Sequence, residues 1–328
     1  MSYKGWVILA VILVAAAVAL GVTLKKTPRQ QSDASSEARK VRTPAVAGLF
    51  YPADKAALSA MIDGFLAQVD MPPLENLRAL VSPHAGYEFS GPIAAHAYKQ
   101  LVGRKVSTVV VMAPSHYASF RGASISDADA YETPLGRIPL SPKAKELAGV
   151  RPLITNPPCR VNRPSWWSRS TKKAPPPGED TPHTWEHSLE VQLPFLQKTL
   201  EDFTLVPIVF GQVDSKEVAA ILKDHIDDET ILIASSDLSH YYPYEVANRM
   251  DRACVKAICD LDIEAMKEQE ACGAGPILTL MHLAKRNEWK TKLLDYRNSG
   301  DTASDKSGVV GYAAIAFYEP PRPNDKEN

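Results

Sequence analysis

The sequence predicts an α/β fold, a single domain in which a mostly parallel or mixed central sheet carries helices on both faces. Two observations lead to this prediction. Short apolar runs rich in Val, Ile and Leu alternate with longer stretches of helical period, as expected when helices cover both faces of a sheet. The short runs are nearly continuously apolar, which is typical of strands buried on both sides.

The predicted elements follow one another along residues 43–319, which we expect to form the folded domain. The strand candidates are Arg78–Ser82, Thr108–Ala113, Thr204–Phe210, Ile231–Ser235 and Tyr312–Tyr318. The helix candidates are Asp54–Val69, Gly91–Val102, His187–Leu200, Ser215–His225, Pro243–Asp260 and Ala274–Arg286. The first of these helices places its apolar residues on one stripe, which indicates that it packs on the sheet. A disordered tail is expected at residues 320–328.

Composition and charge narrow the class of protein. The chain has 328 residues, of which 45% are hydrophobic, so disordered and fibrous proteins are excluded. Its 37 Lys and Arg residues are balanced by 38 Asp and Glu residues. Because a protein that binds nucleic acid must neutralise phosphates, we expect no nucleic-acid partner. A small-molecule or peptide ligand is the expected partner instead.

The amino terminus contains an uncharged apolar segment. After a short tail at residues 1–5, residues 6–24 carry no charge and are long enough to span a hydrocarbon core of about 30 Å. We expect a transmembrane anchor there. The alternative is a cleaved signal peptide, because Ala17-Val18-Ala19 offers a small-x-small cleavage pattern. Basic residues after the segment favour a cytoplasmic body, although the side of the membrane stays open. Polar residues 25–42 predict a flexible linker.

One segment of the body departs from the alternating pattern. Residues 151–181 contain a high density of prolines together with Trp166 and Trp167, which predicts an insertion without regular strands or helices. Long loops of this kind either cover a site as a lid or present a surface to a partner.

Three histidines share one sequence pattern. His84, His116 and His240 each come shortly after an apolar strand candidate. Because the carboxyl ends of parallel strands lie along one edge of a sheet, where ligands bind, we expect the three imidazoles to converge. A hydrogen-bonding role at a strand end is the alternative for each of them.

Further polar residues lie beside these positions. Asp237 precedes His240 by a spacing that lets the carboxylate orient the imidazole. His187 opens a predicted helix between Glu186 and Glu190, and we interpret it as a candidate general acid/base or a supporting partner. Glu190 is equally well explained as a solvated charge or as a charge that favours the helix N-terminus.

The four cysteines do not form a disulfide framework or a paired zinc motif. Cys254 and Cys259 lie in a predicted helix and are interpreted as small buried apolar side chains. Cys272 lies directly before a helix, where the helix dipole stabilises a thiolate. We therefore interpret Cys272 as the reactive or metal-binding cysteine.

Five motifs, taken in order, resemble the Memo family, known in bacteria as component B of the AmmeMemoRadiSam system. They are SPHAGY, APSHY, EHSLEVQLPFLQ, SSDLSH and CGAGP, within a resemblance that covers Pro44 to about Tyr318. The resemblance implies a fold similar to LigB-type class III extradiol dioxygenases. It also implies a functional link to the AMMECR-like and radical SAM components of the same system.

The resemblance further implies a metal site formed by His84, His116 and Cys272, with Asp237 and His240 lining the same pocket. Imidazole and thiolate ligands suit iron(II) or copper. The dioxygenases that resemble this family use a carboxylate in place of the cysteine, so the site departs from theirs. The expectation therefore shifts to an iron or copper redox role, or to a metal-dependent reaction on an unknown substrate.

Three functional hypotheses follow, and they leave open whether the protein is an enzyme. The first is a metal-dependent oxidoreductase in which His187 or His240 moves protons. The second is a non-catalytic protein or scaffold that uses the pocket to hold a peptide or a metabolite. The third is a metal-free enzyme with Cys272 as its nucleophile.

Overall fold

A nine-stranded mixed sheet lies at the centre of the computed structural model, which describes residues 40–303 and 305–321. The strands of the described residues are β1 (Val41–Arg42), β2 (Leu77–Ser82), β3 (Thr108–Pro114), β4 (Ala118–Ser119), β5 (Ala123–Ile125), β6 (Ala130–Thr133), β7 (Gly136–Pro139), β8 (Leu153–Thr155), β9 (Arg160–Val161), β10 (Thr204–Phe210), β11 (Thr230–Ser235), β12 (His240–Tyr242), β13 (Lys290–Asn298) and β14 (Val309–Tyr318). The helices are α1 (Lys55–Ala67), α2 (Tyr87–Lys99), α3 (Pro142–Leu147), α4 (His187–Glu190), α5 (Leu193–Thr199), α6 (Ser215–Lys223), α7 (Tyr244–Cys259), α8 (Ile263–Lys267), α9 (Ala274–Arg286) and α10 (Ser299–Thr302).

The order of the strands in the central sheet is β12-β14-β2-β11-β3-β10-β5-β8, and β13 lies beside β14. The four middle strands, β2, β11, β3 and β10, are parallel, whereas β14 and β5 run antiparallel to their neighbours β2 and β10. The parallel strands end together, since Ser235 pairs with Ser82 and Phe210 pairs with Pro114. The chain segments that leave these strands therefore begin side by side.

Helices cover the sheet on both faces, as predicted. One apolar core includes Leu58 and Ile62 of α1 and Tyr98 of α2, packed against one face. A second core includes Val218 of α6 and Leu280 of α9, packed against the other. Every residue of β3 and β11 is buried, because both faces of the middle strands are covered. The predicted single-domain α/β fold with a mixed sheet is therefore confirmed.

Two predicted helix boundaries differ from the structure. The predicted helix His187–Leu200 is divided into α4 and α5. Pro194 stands at the start of α5, a position at which a proline is tolerated because the first helical N–H groups have no partner within the helix. Helix α2 begins at Tyr87, earlier than the predicted Gly91, and Pro92 again lies in its first turns.

The prediction that residues 151–181 lack regular structure is wrong in part. The segment contains the short strands β8 and β9 and a 3-10 helix at Trp167–Arg169. Strand β8 is the last strand of the central sheet and pairs with β5 alone. Prolines flank these short strands rather than interrupt them, and the edge of a sheet tolerates them.

Strand β13 is missed by the sequence pattern. Its sequence, KTKLLDYRN, mixes charged and apolar residues and lacks a continuous apolar run. Among the described residues the strand pairs only with β14, and its exposed Lys290 and Lys292 are of the kind that protects the edge of a sheet from further pairing.

The prediction of a membrane anchor is not supported by the structure. Among residues 40–303 and 305–321, no helix has both the length and the apolar character needed to cross a membrane. The predicted span at residues 6–24, like the linker up to residue 39 and most of the predicted tail, lies outside these residues. The predicted membrane partner and the predicted membrane-anchored location therefore find no support in the described residues.

Candidate metal centre

His84, His116 and Cys272 come together at the carboxyl end of the parallel strands. His84 follows β2, His116 follows β3, and Cys272 lies just before α9. One nitrogen of each imidazole and the cysteine sulfur lie within 4.8 Å of one another. The His84 and His116 ring centroids are 5.2 Å apart. The residues that follow β2 and β3 lie close together because parallel strands end at the same edge of the sheet.

Hydrogen bonds determine the orientation of the His84 ring. Ser235 Oγ donates to Ser188 O at 2.7 Å and accepts from Gln192 Nε2 at 2.7 Å. Its only proton is thus used, so the 2.8 Å contact between His84 Nδ1 and Ser235 Oγ requires Nδ1 to be the donor. The His84 ring is therefore protonated at Nδ1, which leaves the Nε2 lone pair directed at the candidate site.

His116 is held in the same way by a buried carboxylate. Glu186 Oε1 lies 2.9 Å from His116 Nδ1, and Oε2 accepts the His116 backbone N–H at 2.6 Å. Burial by itself lowers the pKa of His116, but the charges and hydrogen bonds of Glu186 and Cys272 together outweigh this effect and raise the pKa to about 10. The proximity of His116 in turn holds the pKa of the buried Glu186 carboxyl well below its usual range. Glu186 thus binds Nδ1 and leaves Nε2 for a ligand.

The Cys272 sulfur is placed for ligation or for nucleophilic chemistry. Sγ lies 3.2 Å from His84 Nε2 and accepts the Asp237 backbone N–H at 3.2 Å. Burial raises the pKa of the Cys272 thiol, but His84 and His116 outweigh this effect and lower the pKa to about 7. A Cβ on the next residue, Gly273, would stand 2.3 Å from Ser235 O. A glycine is therefore needed for the chain to approach β11 so closely.

The predicted pairing of Asp237 with His240 takes a different form. Asp237 Oδ1 accepts the His84 backbone N–H at 2.7 Å, so this carboxylate supports the His84 loop. Burial raises the pKa of Asp237 to about 6, although the His84 N–H opposes the shift. The carboxylate beside the His240 ring is Glu270, whose Oε1 lies 3.9 Å from Nδ1.

His187 lies at the centre of an aromatic cluster. Its ring centroid is 4.6 Å from that of His116, 4.8 Å from Phe50 and 5.6 Å from Tyr117. The side chain is 10% exposed, and among the described residues Nδ1 has no hydrogen-bond partner. Burial and the neighbouring His116 lower the pKa of His187. The imidazole is therefore neutral, with an unused nitrogen beside the site.

A cleft of about 580 Å³ opens over these residues. Its lining contains His84, His116, His187, Asp237 and His240, so all of the predicted histidines and the predicted carboxylate reach one cavity. The aromatic residues Phe50, Phe89, Tyr117, Tyr241 and Tyr312 form much of the remaining wall. Such a lining, apolar with a few convergent polar groups, is typical of sites for small ligands.

Of the two alternatives left open for Glu190, the solvated charge is wrong, whereas the residue does lie in the first turn of its helix. Its side chain is fully buried, forms an ion pair with Arg42 and accepts the backbone N–H groups of Ala45 and Val46 at 2.7 and 3.0 Å. It also accepts the Tyr51 hydroxyl at 2.5 Å. Glu190 therefore joins the first residues of the domain to α4, and the sequence contains no local signal for a partner so distant along the chain.

Glu186, Ser235 and Gln192 are supporting residues that the sequence reasoning did not assign. Each lies inside a quoted motif, so the motifs mark the right segments. Their roles depend on contacts between segments far apart in the sequence, such as the contact of Ser235 with His84. No spacing rule along the chain contains that information.

The donor set fits a transition-metal ion. Imidazole nitrogens and a thiolate are the ligands that iron(II), copper and zinc prefer over magnesium or calcium. His84 offers a free lone pair at Nε2, whereas His116 and the Cys272 thiol, whose pKa is lowered, each offer one after losing a proton. Both rings are held through their second nitrogen, as is usual for histidine ligands. Fold and site thus define a class: an α/β protein with a candidate metal centre at the carboxyl end of its parallel strands.

The chain belongs to the Memo family. The family model described as Memo-like protein matches residues 42–154 and 171–316. The MEMO1 family protein of Ignicoccus hospitalis is 35% identical over 306 residues, which cover 85% of this chain and 99% of that relative. Similar proteins of the MEMO1 family are found in Sulfolobus acidocaldarius, 34% identical over 84% of this chain and 99% of the relative, and in Aeropyrum pernix, 36% identical over the same shares. The predicted family is confirmed.

Proposed function

We propose that this Memo-family protein binds iron(II) or copper through His84, His116 and Cys272 and acts as a metal-dependent redox protein on a small substrate. The observation that carries the proposal is that both rings are held through Nδ1, by Ser235 and by Glu186, and thereby direct Nε2 toward the Cys272 sulfur. A bound iron or copper ion would supply electron transfer and Lewis acidity at this point.

The residues of the chain have separable roles in this proposal. Glu186 and Ser235 orient the two imidazoles and keep each Nδ1 occupied. His187 is neutral and lines the cleft, so its imidazole is the group assigned to accept a proton from a substrate there. His240 lies at the mouth of the cleft with 30% of its side chain exposed, where it exchanges protons with solvent. The aromatic wall excludes water from the site.

A metal-free cysteine enzyme is the second candidate, and one contact favours it. Cys272 Sγ lies within 3.2 Å of His84 Nε2, which is the distance at which a histidine activates a thiol nucleophile. The two candidates make opposite demands on the sulfur. A metal-bound thiolate is protected from alkylation, whereas a catalytic thiolate must react freely.

Metal analysis of the full-length chain separates the candidates. The chain is reconstituted anaerobically with iron(II) or copper(I), desalted and analysed for bound metal, and its reaction with iodoacetamide at Cys272 is followed by peptide mass spectrometry. About one tightly bound ion per chain together with protection of Cys272 supports the proposal. No stoichiometric metal with rapid alkylation of Cys272 overturns it in favour of the cysteine enzyme. If the chain neither binds metal nor reacts with iodoacetamide at Cys272, the remaining interpretation is a non-catalytic binding protein.

A further inference from the structure

The segment that the family model leaves unmatched reaches the candidate metal centre. Residues 155–170 fall between the two matched ranges, 42–154 and 171–316. They lie within the insertion predicted at residues 151–181. The family match therefore carries no information about the role of this segment.

Hydrogen bonds attach the segment on both sides of the cleft wall. Strand β9 pairs with β4, and Asn162 N donates to Tyr117 O at 2.8 Å, immediately after His116. At the other end, Ser170 Oγ donates to Ala45 O at 2.6 Å, shortly before Phe50. The segment thus connects the two chain regions that supply Tyr117 and Phe50 to the wall.

Trp166 is placed between these attachments and packs on both aromatic residues. Its ring centroid lies 5.7 Å from Tyr117 at an interplanar angle of 85° and 6.2 Å from Phe50 at 61°. Both geometries are edge-to-face, the favourable arrangement for aromatic pairs. Phe50 and Tyr117 in turn contact His187. Trp166 therefore supports the aromatic side chains that pack on the His187 ring.

The neighbouring tryptophan does not share this position. Trp167 is 40% exposed and contacts the Trp185 ring at 6.2 Å and the Arg163 guanidinium at 5.4 Å. Tyr241, which also lines the cleft, is 78% exposed. The cleft wall thus includes residues that pack on Trp166 and, at Tyr241, a residue open to solvent.

We infer that Trp166 is a positioning residue that closes one side of the cleft and thereby limits the size of the ligand that reaches His187 and the metal ligands. This inference rests on the proposed function for the meaning of the cleft. According to this inference, ligands enter the cleft past Tyr241, and the insertion that carries Trp166 determines which ligands the cleft accommodates. Without the indole, Phe50 and Tyr117 lose their edge-to-face partner and the wall becomes mobile.

Chemical labelling of His187 tests the wall without any metal. The full-length chain and its Trp166→Ala, Trp166→Phe and Trp167→Ala variants are treated with diethyl pyrocarbonate, and carbethoxylation is measured for each histidine by peptide mass spectrometry. In Trp166→Ala we expect His187 to react about five to ten times faster, because two aromatic contacts are lost. Trp166→Phe, which keeps an aromatic ring, should give a smaller increase than Trp166→Ala, and Trp167→Ala should leave the rate unchanged.

Two other histidines serve as internal references. His282 lies outside the cleft and should react equally in all variants, whereas the buried His183 should stay protected wherever the fold is intact. If His183 becomes reactive in Trp166→Ala, the comparison of Trp166→Phe with Trp167→Ala decides instead, with a smaller His187 increase expected only in the first. Equal His187 rates in all folded variants overturn the inference.

Ligand size is tested on the iron(II)-loaded chain with imidazole and 4-phenylimidazole, which share one donor group. Trp166→Ala should improve the affinity for the larger ligand by about tenfold relative to the smaller one. An equal change for both ligands overturns the role in selectivity. If neither the wild type nor the variant binds iron(II) or copper(I), the proposed function fails, whereas the labelling result still decides the inference about the wall.

Discussion

Cys272 Sγ and His84 Nε2 lie 3.2 Å apart although 188 positions separate the two residues in the sequence. The contact exists because β2 and β11 end in register, with Ser82 paired to Ser235. His84 leaves the sheet just after this pair, and Cys272 packs on the chain that follows Ser235 through the Asp237 backbone N–H. The register of β2 and β11 therefore places the Cys272 sulfur next to the His84 imidazole.

Replacement of the cysteine should weaken the metal site. In Cys272→Ser a soft anionic ligand becomes a weak neutral one, so we expect the affinity for iron(II) or copper(I) to fall by about a hundredfold or more. Competitive titration against a chromophoric chelator measures this change. Cys259→Ser is the matched control and should change only local packing. Wild-type affinity in Cys272→Ser would exclude the cysteine as a ligand.

Metal affinity should rise with pH in two regimes. The pKa of His116 is about 10 and that of Cys272 about 7, and both must lose a proton to bind a metal. Between pH 7 and pH 10 only His116 is still protonated, so binding releases about one proton, and below pH 7 it releases about two. Titrations across pH 6–9 should show this steepening toward acid. A constant slope would show that one of the two groups does not ligate.

The Glu186 carboxylate should control both affinity and pH dependence. Glu186→Gln retains an acceptor for His116 Nδ1 but removes the charge that raises the pKa of His116. We expect the affinity for metal at the high-pH limit, where His116 is deprotonated in both proteins, to fall by about 10- to 100-fold. The pH dependence above pH 7 should be shallower, because a His116 of lower pKa competes less with the proton. Glu132→Gln, which removes an exposed ion pair with Arg137, should leave both unchanged. An unaltered pH profile in Glu186→Gln would contradict this role.

The buried ion pair at the start of the domain should matter for stability. Arg42→Met leaves the Glu190 charge buried without its cation, which costs about 3–5 kcal/mol in the free energy of unfolding. Urea unfolding followed by circular dichroism measures this difference. Lys256→Ala removes an exposed ion pair with Asp260 and should leave the urea concentration at the midpoint of unfolding unchanged. A small effect of Arg42→Met would show that Glu190 becomes protonated instead.

The glycine beside Cys272 should be required for the local packing. In Gly273→Ala the new Cβ meets Ser235 O at 2.3 Å, which should cost about 1–3 kcal/mol of stability and weaken metal binding by displacing Cys272. A Cβ added to Gly64 in helix α1 would meet no atom of the described residues within 4 Å, so Gly64→Ala should stabilise the protein by about 0.5–1 kcal/mol. The midpoint temperature of thermal unfolding should therefore fall in Gly273→Ala and rise in Gly64→Ala.

Much of the fold could be predicted because its signals are local. The continuous apolar runs of β3 and β10 and the helical period of α9 are short-range patterns, and the structure places these elements at or within one residue of their predicted bounds. Strand β13 could not be predicted in this way, since it lies at an edge, carries charged residues and depends on β14 for its pairing. Edge strands are defined by their partner more than by their own composition.

The sequence by itself determined the fold class, the family and the segments from which His84, His116, His187, Asp237 and His240 enter one cleft, because each of these segments lies next to a strand or a helix in a recognisable motif. Tertiary structure alone decided the partners. It paired Glu186 with His116 and buried Glu190 against Arg42, and it placed Trp166 on the wall of the site. Charge, tautomer and burial depend on neighbours in space, and the register of the sheet rather than distance along the chain selects those neighbours.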